Sequence, residues 1–279
     1  MDLKTNILIV MAIIIGSIGV YSNLKSRNIL QKSPTNIAPQ PTNSELLLST
    51  KNTEIITSDV IYFQDINGTE IKGLYAHPKQ PGNYPGVVMV HEWWGLTDNI
   101  KDMAKELAKE GYQVLAVDLY KGSVGKTPDE AEKLESSINQ QESLSNLKAA
   151  ILYLENNNAS RISTLGWSFG GGQALQLSLN EPLDATVIYY GTPLVTDKTQ
   201  LASINWPVLG IFGDRDMEIP VAKVNEFKSA LNELEIKNDI VIYPGVGHAF
   251  ANPTGQSWSA RETKDAWSKT IMFLEKNLK

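Results

Sequence analysis

Cysteine is absent from this chain of 279 residues. Its absence excludes disulfides, thiolate nucleophiles and cysteine-ligated zinc or iron–sulfur centres, so covalent catalysis would need another nucleophile. Histidine is scarce, with three copies, which leaves few candidates for a general base near neutral pH. Positive charge is also in deficit: 25 Lys and Arg against 31 Asp and Glu give a formal net charge of −6. The first 53 residues hold Lys4, Lys25, Arg27, Lys32 and Lys51 against Asp2 and Glu45, a net +3 that leaves −9 on the other 226. An acidic body lacks the electrostatic footprint of a nucleic-acid binder. A chain that is 42% hydrophobic and 20% charged is nevertheless ordinary for a globular protein, and its length suits one large domain or two small ones.

Charge is missing altogether from Thr5 to Leu24, and Ile7–Val20 reads ILIVMAIIIGSIGV. The run matches the apolar region of a signal peptide better than the roughly 20 residues of a spanning helix. Lys4 is its only early basic side chain, and Val20 and Ser22 are the small residues available before a cleavage site. A buried core helix is disfavoured because the run stands alone before a polar tract. Residues 1–24 are therefore expected to be a signal peptide or an N-terminal membrane anchor. Lys25, Arg27 and Lys32 beyond the run argue against a simple anchor with its N-terminus inside. Lipoprotein attachment is excluded with cysteine. Residues 25–53 include the Pro-, Ser-, Thr- and Asn-rich stretch SPTNIAPQPTNSELLLSTKN and read as a flexible linker. The body is thus expected to be exported and periplasmic, soluble if the leader is cleaved and otherwise held at the inner membrane through it.

Beyond the linker, strand-like and helix-like patterns alternate. Val60–Asp65 and Glu70–His77 flank Asn67-Gly68, a hairpin signal. Gly86–His91, Tyr112–Val117, Arg161–Trp167, Thr186–Tyr190, Val208–Phe212 and Ile240–Tyr243 are short apolar runs of the kind buried on both faces of a sheet. Between them a helix capped by Thr97 or Asp98 presents Ile100, Met103, Ala104, Leu107 and Ala108 on one face and stops at Gly111. Thr127-Pro128-Asp129-Glu130 is a capping box. Further helices are predicted from near Glu142 to Leu154, from the glycines after Trp167 to about Leu179, over about 220–234 and over Trp258–Leu278. This alternation predicts an α/β fold whose mainly parallel sheet carries helices on both faces, with the opening hairpin at one edge.

Gly166-Trp167-Ser168-Phe169-Gly170 falls where a buried strand turns into a helix. In that context G-x-S-x-G is a nucleophile elbow, in which a strained turn projects the serine hydroxyl above the sheet. A serine needs a base, and the base needs a carboxylate, in the α/β-hydrolase order Ser, Asp or Glu, His. His77 lies in the hairpin and His91 precedes the elbow. His248 in GVGHAF alone satisfies the order, although a lone loop histidine is usually only a solvated side chain. Gly213-Asp214-Arg215-Asp216 supplies the carboxylate, with Asp216 preferred, Asp214 the alternative and Glu218 more distant.

Five segments then carry a resemblance: PGVVMVHEWWGL (Pro85–Leu96), GYQVLAVDLY (Gly111–Tyr120), LGWSFGG (Leu165–Gly171), GDRDMEIP (Gly213–Pro220) and GVGHAF (Gly245–Phe250). In this order and spacing, the chain from about Val60 to Leu278 resembles the dienelactone hydrolase family of α/β-hydrolases. The resemblance implies one catalytic domain over 54–279 without a large lid, with Ser168, Asp216 and His248 as a catalytic triad. It implies an oxyanion hole from the backbone N–H groups of Phe169 and Trp93. It also matches Glu92 to a family glutamate that contacts the resting nucleophile, beside which a plain hydrogen-bonding role stays open. Serine stands where the family's named enzyme has cysteine. The paired arginines that bind that enzyme's carboxylate substrate have no counterpart: Asn252 occupies one position, and no arginine occurs from Tyr120 to Ala150. Lys121, Lys126 and Lys133 are available there, but lysine is not a bidentate clamp. Dienelactone itself is therefore not carried over.

Among the aromatics in these motifs, Trp94, Trp167, Tyr120 and Phe250 are candidates for an apolar substrate pocket. Only the fifteen residues Thr192–Trp206 separate two strands where a lid is often inserted, which favours small substrates. The expected function is a serine hydrolase of small carboxylic esters or lactones acting through an acyl-enzyme. No metal or organic cofactor, no nucleic acid and no membrane contact beyond the leader are expected. A peptidase of the same fold and a catalytically silent small-molecule binder are the alternatives.

Overall fold

The computed structural model describes Lys51 and residues 53–279. Every described residue belongs to one compact unit. The expected leader, and the linker apart from Lys51 and Thr53, lie outside the described residues. Among the described residues no helix is long and apolar enough to cross a membrane.

Strands β1 (Ile55–Gln64) and β2 (Glu70–Pro78) form the antiparallel edge hairpin. Its turn is closed by Asp65, whose Oδ1 accepts the N–H groups of Asn67 at 2.9 Å and Thr69 at 2.8 Å. β1 begins five residues before the run predicted from Val60, pairing Ile55 with Pro78. The ladder carries this outer stretch; its largely exposed side chains have no face to bury and leave no alternating pattern.

Strands β3 (Gly86–Val90), β4 (Gln113–Val117), β5 (Ile162–Trp167), β6 (Ala185–Tyr189), β7 (Val208–Gly213) and β8 (Asn238–Tyr243) complete an eight-stranded sheet in the order β1-β2-β4-β3-β5-β6-β7-β8. All pairs from β4 to β8 are parallel, and β2 meets β4 antiparallel. Strands β3 to β7 are buried at every position. Both faces are therefore covered, which is what a parallel sheet requires.

The covering helices are α1 (Asp98–Lys109), α2 (Pro128–Ser136), α3 (Gln140–Asn156), α4 (Phe169–Asn180), α6 (Val221–Glu233) and α7 (Ala260–Leu278), while the β6–β7 connector holds only the short α5 (Lys198–Leu201). The fold is that of an α/β-hydrolase without a large inserted lid. At α2 the capping box forms: Thr127 accepts the Glu130 N–H at 3.3 Å, and the Glu130 carboxylate accepts the N–H of Lys126, one residue before the cap, at 2.8 Å. The last helix starts two residues later than its apolar pattern suggests, because Trp258 and Ser259 are still in the preceding turn, where the Ser259 N–H is given to Phe250 O at 2.9 Å.

After β3 the chain moves outward to β4, then returns past β3 to β5 and continues in the opposite direction. The carboxyl ends of β3 and β5 thus flank the point where strand order reverses, the place where open α/β sheets form a crevice. The close approach of α4 to β3 there leaves no room for a side chain at Gly170. A Cβ would stand 2.3 Å from His91 O and 2.5 Å from Val90 O. Gly170→Ala should therefore destabilise the fold by roughly 3 kcal/mol. Urea unfolding reads this directly, and an unchanged midpoint would contradict it.

Candidate active site

Ser168 joins β5 to α4 with φ 52° and ψ −121°, a left-handed backbone conformation that a residue with a Cβ adopts only at a cost. The surrounding main chain holds it there. Ser168 donates its N–H to Tyr189 O at 2.9 Å, and its carbonyl accepts from Gly172 N at 3.0 Å and Thr192 N at 3.1 Å. Ser168, 8% exposed, thereby sets its hydroxyl at the carboxyl end of the sheet.

His248 stands in the turn after β8. Phe250, fully buried two residues on, anchors that turn, and its carbonyl accepts from Ser259 N and from the Thr263 hydroxyl at the start of α7. The imidazole packs edge-on to Tyr190, centroids 5.2 Å apart. Its Nε2 lies 2.8 Å from Ser168 Oγ and its Nδ1 2.8 Å from Asp216 Oδ2. The other Asp216 oxygen accepts the N–H groups of Glu218 at 2.8 Å and Ile219 at 2.9 Å. Asp214 points elsewhere: it is exposed and accepts the Gly245 N–H at 2.6 Å. Glu218 approaches His248 on the serine side, with Oε2 3.5 Å from Nε2.

Burial opposes ionisation of this pair, but their mutual attraction outweighs it. Desolvation would raise Asp216, yet the hydrogen bond and charge of His248, with two backbone N–H groups, hold it below its ordinary value. Desolvation would likewise lower His248, yet Asp216, Glu218 and Glu92 together hold it above 6.5. The imidazole is thus a stronger base than in water.

The other two histidines are used structurally. His91 is fully buried, gives its Nδ1–H to Glu92 O at 2.6 Å and accepts the Leu119 N–H on Nε2 at 3.1 Å. Burial lowers its pKa, consistent with a neutral ring that ties the β3 and β4 loops together. His77 stacks on Tyr75 in the hairpin.

A cavity of about 340 Å³ opens over Ser168 and His248, walled by Trp93, Trp94, Glu92, Glu135, Thr192, Glu218 and Asn252 among others. Of the aromatics expected at the pocket, Trp94 is on this wall. Trp167, Tyr120 and Phe250 are not, which corrects that expectation. Trp167 packs on Tyr189, Tyr120 on His91 and Phe169, and Phe250 on Tyr190 and Tyr243. Being apolar and next to a motif did not distinguish a wall from the packing beneath it. Lys121, Lys126 and Lys133 are also absent from the wall, and Lys121 is bound at 2.7 Å to both Asp65 and Glu142. Phe169 is the first residue of α4, where its N–H has no partner within the helix. Trp93 follows β3 and stands on the cavity wall beside Ser168.

Glu92 is 5% exposed. Asn252 Nδ2 donates to its Oε2, and Asn252 Oδ1 in turn accepts the Thr254 N–H and hydroxyl. Its Oε1 is buried without a hydrogen-bond partner of ordinary geometry; the Tyr190 hydroxyl lies against the carboxyl but equally lacks one. Burial pushes the Glu92 pKa up from 4.5 to about 7, against the opposing pull of His248 and Asn252. The pairing with Asn252, the wall position of Glu135 on α2 and the seat of Tyr190 under His248 had no signature in the sequence. Each depends on segments brought together only by folding.

The folded state holds a proton on Glu92 that the unfolded chain releases, so this group's contribution to stability falls as pH rises from 4.5 to about 7. Glu92→Gln keeps an acceptor for Asn252 and removes the titration. Thermal unfolding should show wild type losing stability relative to Glu92→Gln across that window, by a few kcal/mol in all. Parallel curves would contradict the burial account.

Comparison with known proteins places these features in a wider set. A model of the dienelactone hydrolase family matches residues 71–278. A protein of Saccharolobus solfataricus provisionally named carboxymethylenebutenolidase is 29% identical over 254 residues, covering 77% of this chain and 97% of its own. The crystal structure of a provisionally named dienelactone hydrolase from Klebsiella pneumoniae superposes with a TM-score of 0.72 at 26% identity, covering 80% of this chain and 99% of the other. A dienelactone hydrolase-like promiscuous phosphotriesterase from metagenomic libraries superposes at 0.73 over 81% and 99% of the two chains. Its 21% identity speaks to the fold alone.

Proposed function

Because the chain belongs to the dienelactone hydrolase family, enzymes that act on ester and lactone bonds, we propose that it is a serine hydrolase of small carboxylic esters or lactones. The observation that carries this reading is the unbroken chain of hydrogen bonds from Ser168 Oγ through His248 to Asp216, with the serine on a left-handed turn at a cavity floor.

Ser168 Oγ attacks the substrate carbonyl carbon while its proton passes to His248 Nε2. Asp216 keeps the other imidazole proton on Nδ1 and stabilises the imidazolium that forms. The N–H groups of Phe169 and Trp93 take the charge that develops on the carbonyl oxygen. Collapse breaks the ester C–O bond, and the imidazolium returns its proton to the departing alkoxide. Water then repeats the sequence on the acyl-serine, releasing acid and free enzyme. Cavity size and the short β6–β7 connector support small substrates. Asn252, held on Glu92, offers no guanidinium for a substrate carboxylate, which speaks against dienelactone itself. The catalytic domain spans 54–279, exported by the apolar leader at 1–24. Mass spectrometry of the mature chain distinguishes a cleaved leader from a retained one.

Ser168→Ala should lower kcat by a factor on the order of 10⁶ and abolish labelling by a fluorophosphonate probe. Near-wild-type turnover of p-nitrophenyl esters by that variant would overturn the assignment. The pH profile gives a separate check. The base must be neutral to accept the serine proton, and His248 is held above 6.5. Consequently kcat/KM should rise with pH with a midpoint above 6.5, and an acid limb centred below that value would disconnect His248 from the chemistry.

A further inference from the structure

Every acidic or basic side chain on the cavity wall apart from the histidine is a carboxyl group, Glu92, Glu135 and Glu218, with no lysine or arginine, and Glu135 and Glu218 are the two less buried of the three. All three act electrostatically on His248, and Glu218 raises Glu135 in addition to the effect of its partial burial. They are spread around the space. Among the described residues no three His, Asp or Glu side chains converge closely enough to hold a metal ion. A second feature lies at the same wall: Glu92 is nine-tenths buried, with Oε1 lacking a hydrogen-bond partner of ordinary geometry and the Tyr190 hydroxyl against the carboxyl. Trp93 and Trp94, both on the wall, lie with ring centroids 4.9 Å apart at 64° to one another. Dispersed negative charge between aromatic faces suits a bulky organic cation, whose diffuse charge needs no short directional contacts.

We propose that the ester this site selects carries a quaternary ammonium group close to the scissile bond, seated between Trp93–Trp94 and the carboxylates of Glu135 and Glu218. This rests on the hydrolase reading above and adds the charge of the substrate to it. The same arrangement rejects an anionic acyl or alcohol group by like-charge repulsion in a partly enclosed space.

The test compares acetylcholine, its uncharged isostere 3,3-dimethylbutyl acetate and the anionic acetyl ester of 4-hydroxybutanoate, on wild type and on the double variant Glu135→Gln, Glu218→Gln. The readout is the cation-to-neutral ratio of kcat/KM. Comparing that ratio between proteins cancels both leaving-group reactivity and any change in His248 basicity. It should be roughly tenfold lower in the variant, with the anionic ester the poorest substrate of wild type. In wild type alone the ratio should also fall as NaCl is raised to about 0.5 M, since charges this exposed are screened. An equal ratio in both proteins, or one unmoved by salt, would overturn the charge preference and leave the hydrolase reading intact. If none of the three esters turns over fast enough to rank, the preference is read from protection of Ser168 against fluorophosphonate. Tetramethylammonium should slow labelling more than 3,3-dimethylbutanol does, and equal protection counts against the proposal. Failure of both turnover and labelling would remove the hydrolase reading, and the preference with it.

Discussion

The backbone turn at Ser168 is the constraint around which this molecule is arranged. A residue with a side chain is held at φ 52° because three main-chain hydrogen bonds, to Tyr189, Gly172 and Thr192, fix it from the neighbouring strand and its own helix. That turn forces α4 to start at the carboxyl end of β5, inside the sheet, and α4 can sit there only if glycine lines its approach. At Gly166 a Cβ would come within 2.1 Å of Gly170 O, inside the elbow itself. The reversal of strand order beside β5 then opens the crevice into which the hydroxyl points. Cost and use are thus joined in one place, as is common where a structure over-determines a strained residue.

Around that turn the electrostatics are one-sided. His248 is flanked by Asp216 on Nδ1 and by Glu218 and Glu92 toward the serine and the cavity. Their combined field exceeds the desolvation that would otherwise weaken the base. Glu92 is raised by burial alone, against the pull of His248, whereas Glu135 is raised by burial and by its neighbour Glu218. Basicity of the imidazole and hostility to incoming anions follow from one charge distribution, not from two separate devices.

Much of this was legible in the sequence, for identifiable reasons. The inner strands are buried on both faces, so GVVMV, QVLAV and ATVIY stand out as apolar runs. The elbow writes itself as glycines around a serine, because close backbone approach tolerates nothing larger. Of the three side chains that meet at 2.8 Å, Ser168 and His248 stand out by motif and chain order, while Asp216 is the preferred of two carboxylates, with Asp214 the other. Other features were hidden by their physics. The outer half of β1 is held by its ladder and shows no apolar alternation, and α5 is a single turn. Trp167, Tyr120 and Phe250 have the composition of a pocket but the burial of a core. Glu135 looks like any solvated residue of a surface helix, and Glu92 with Asn252 are 160 positions apart.

The turn that carries His248 is held in place by the segment on its C-terminal side. The Phe250 carbonyl is gripped by Ser259 and Thr263, so the base is positioned only once the first turn of α7 is in place. The serine, by contrast, directly follows β5, about two-fifths of the chain before the end. During synthesis from the N-terminus, a nascent chain therefore possesses its nucleophile long before it possesses anything to activate it. A chain ending ahead of α7 would contain all eight strands yet lack the Thr263 hydroxyl that grips the Phe250 carbonyl and steadies the His248 turn.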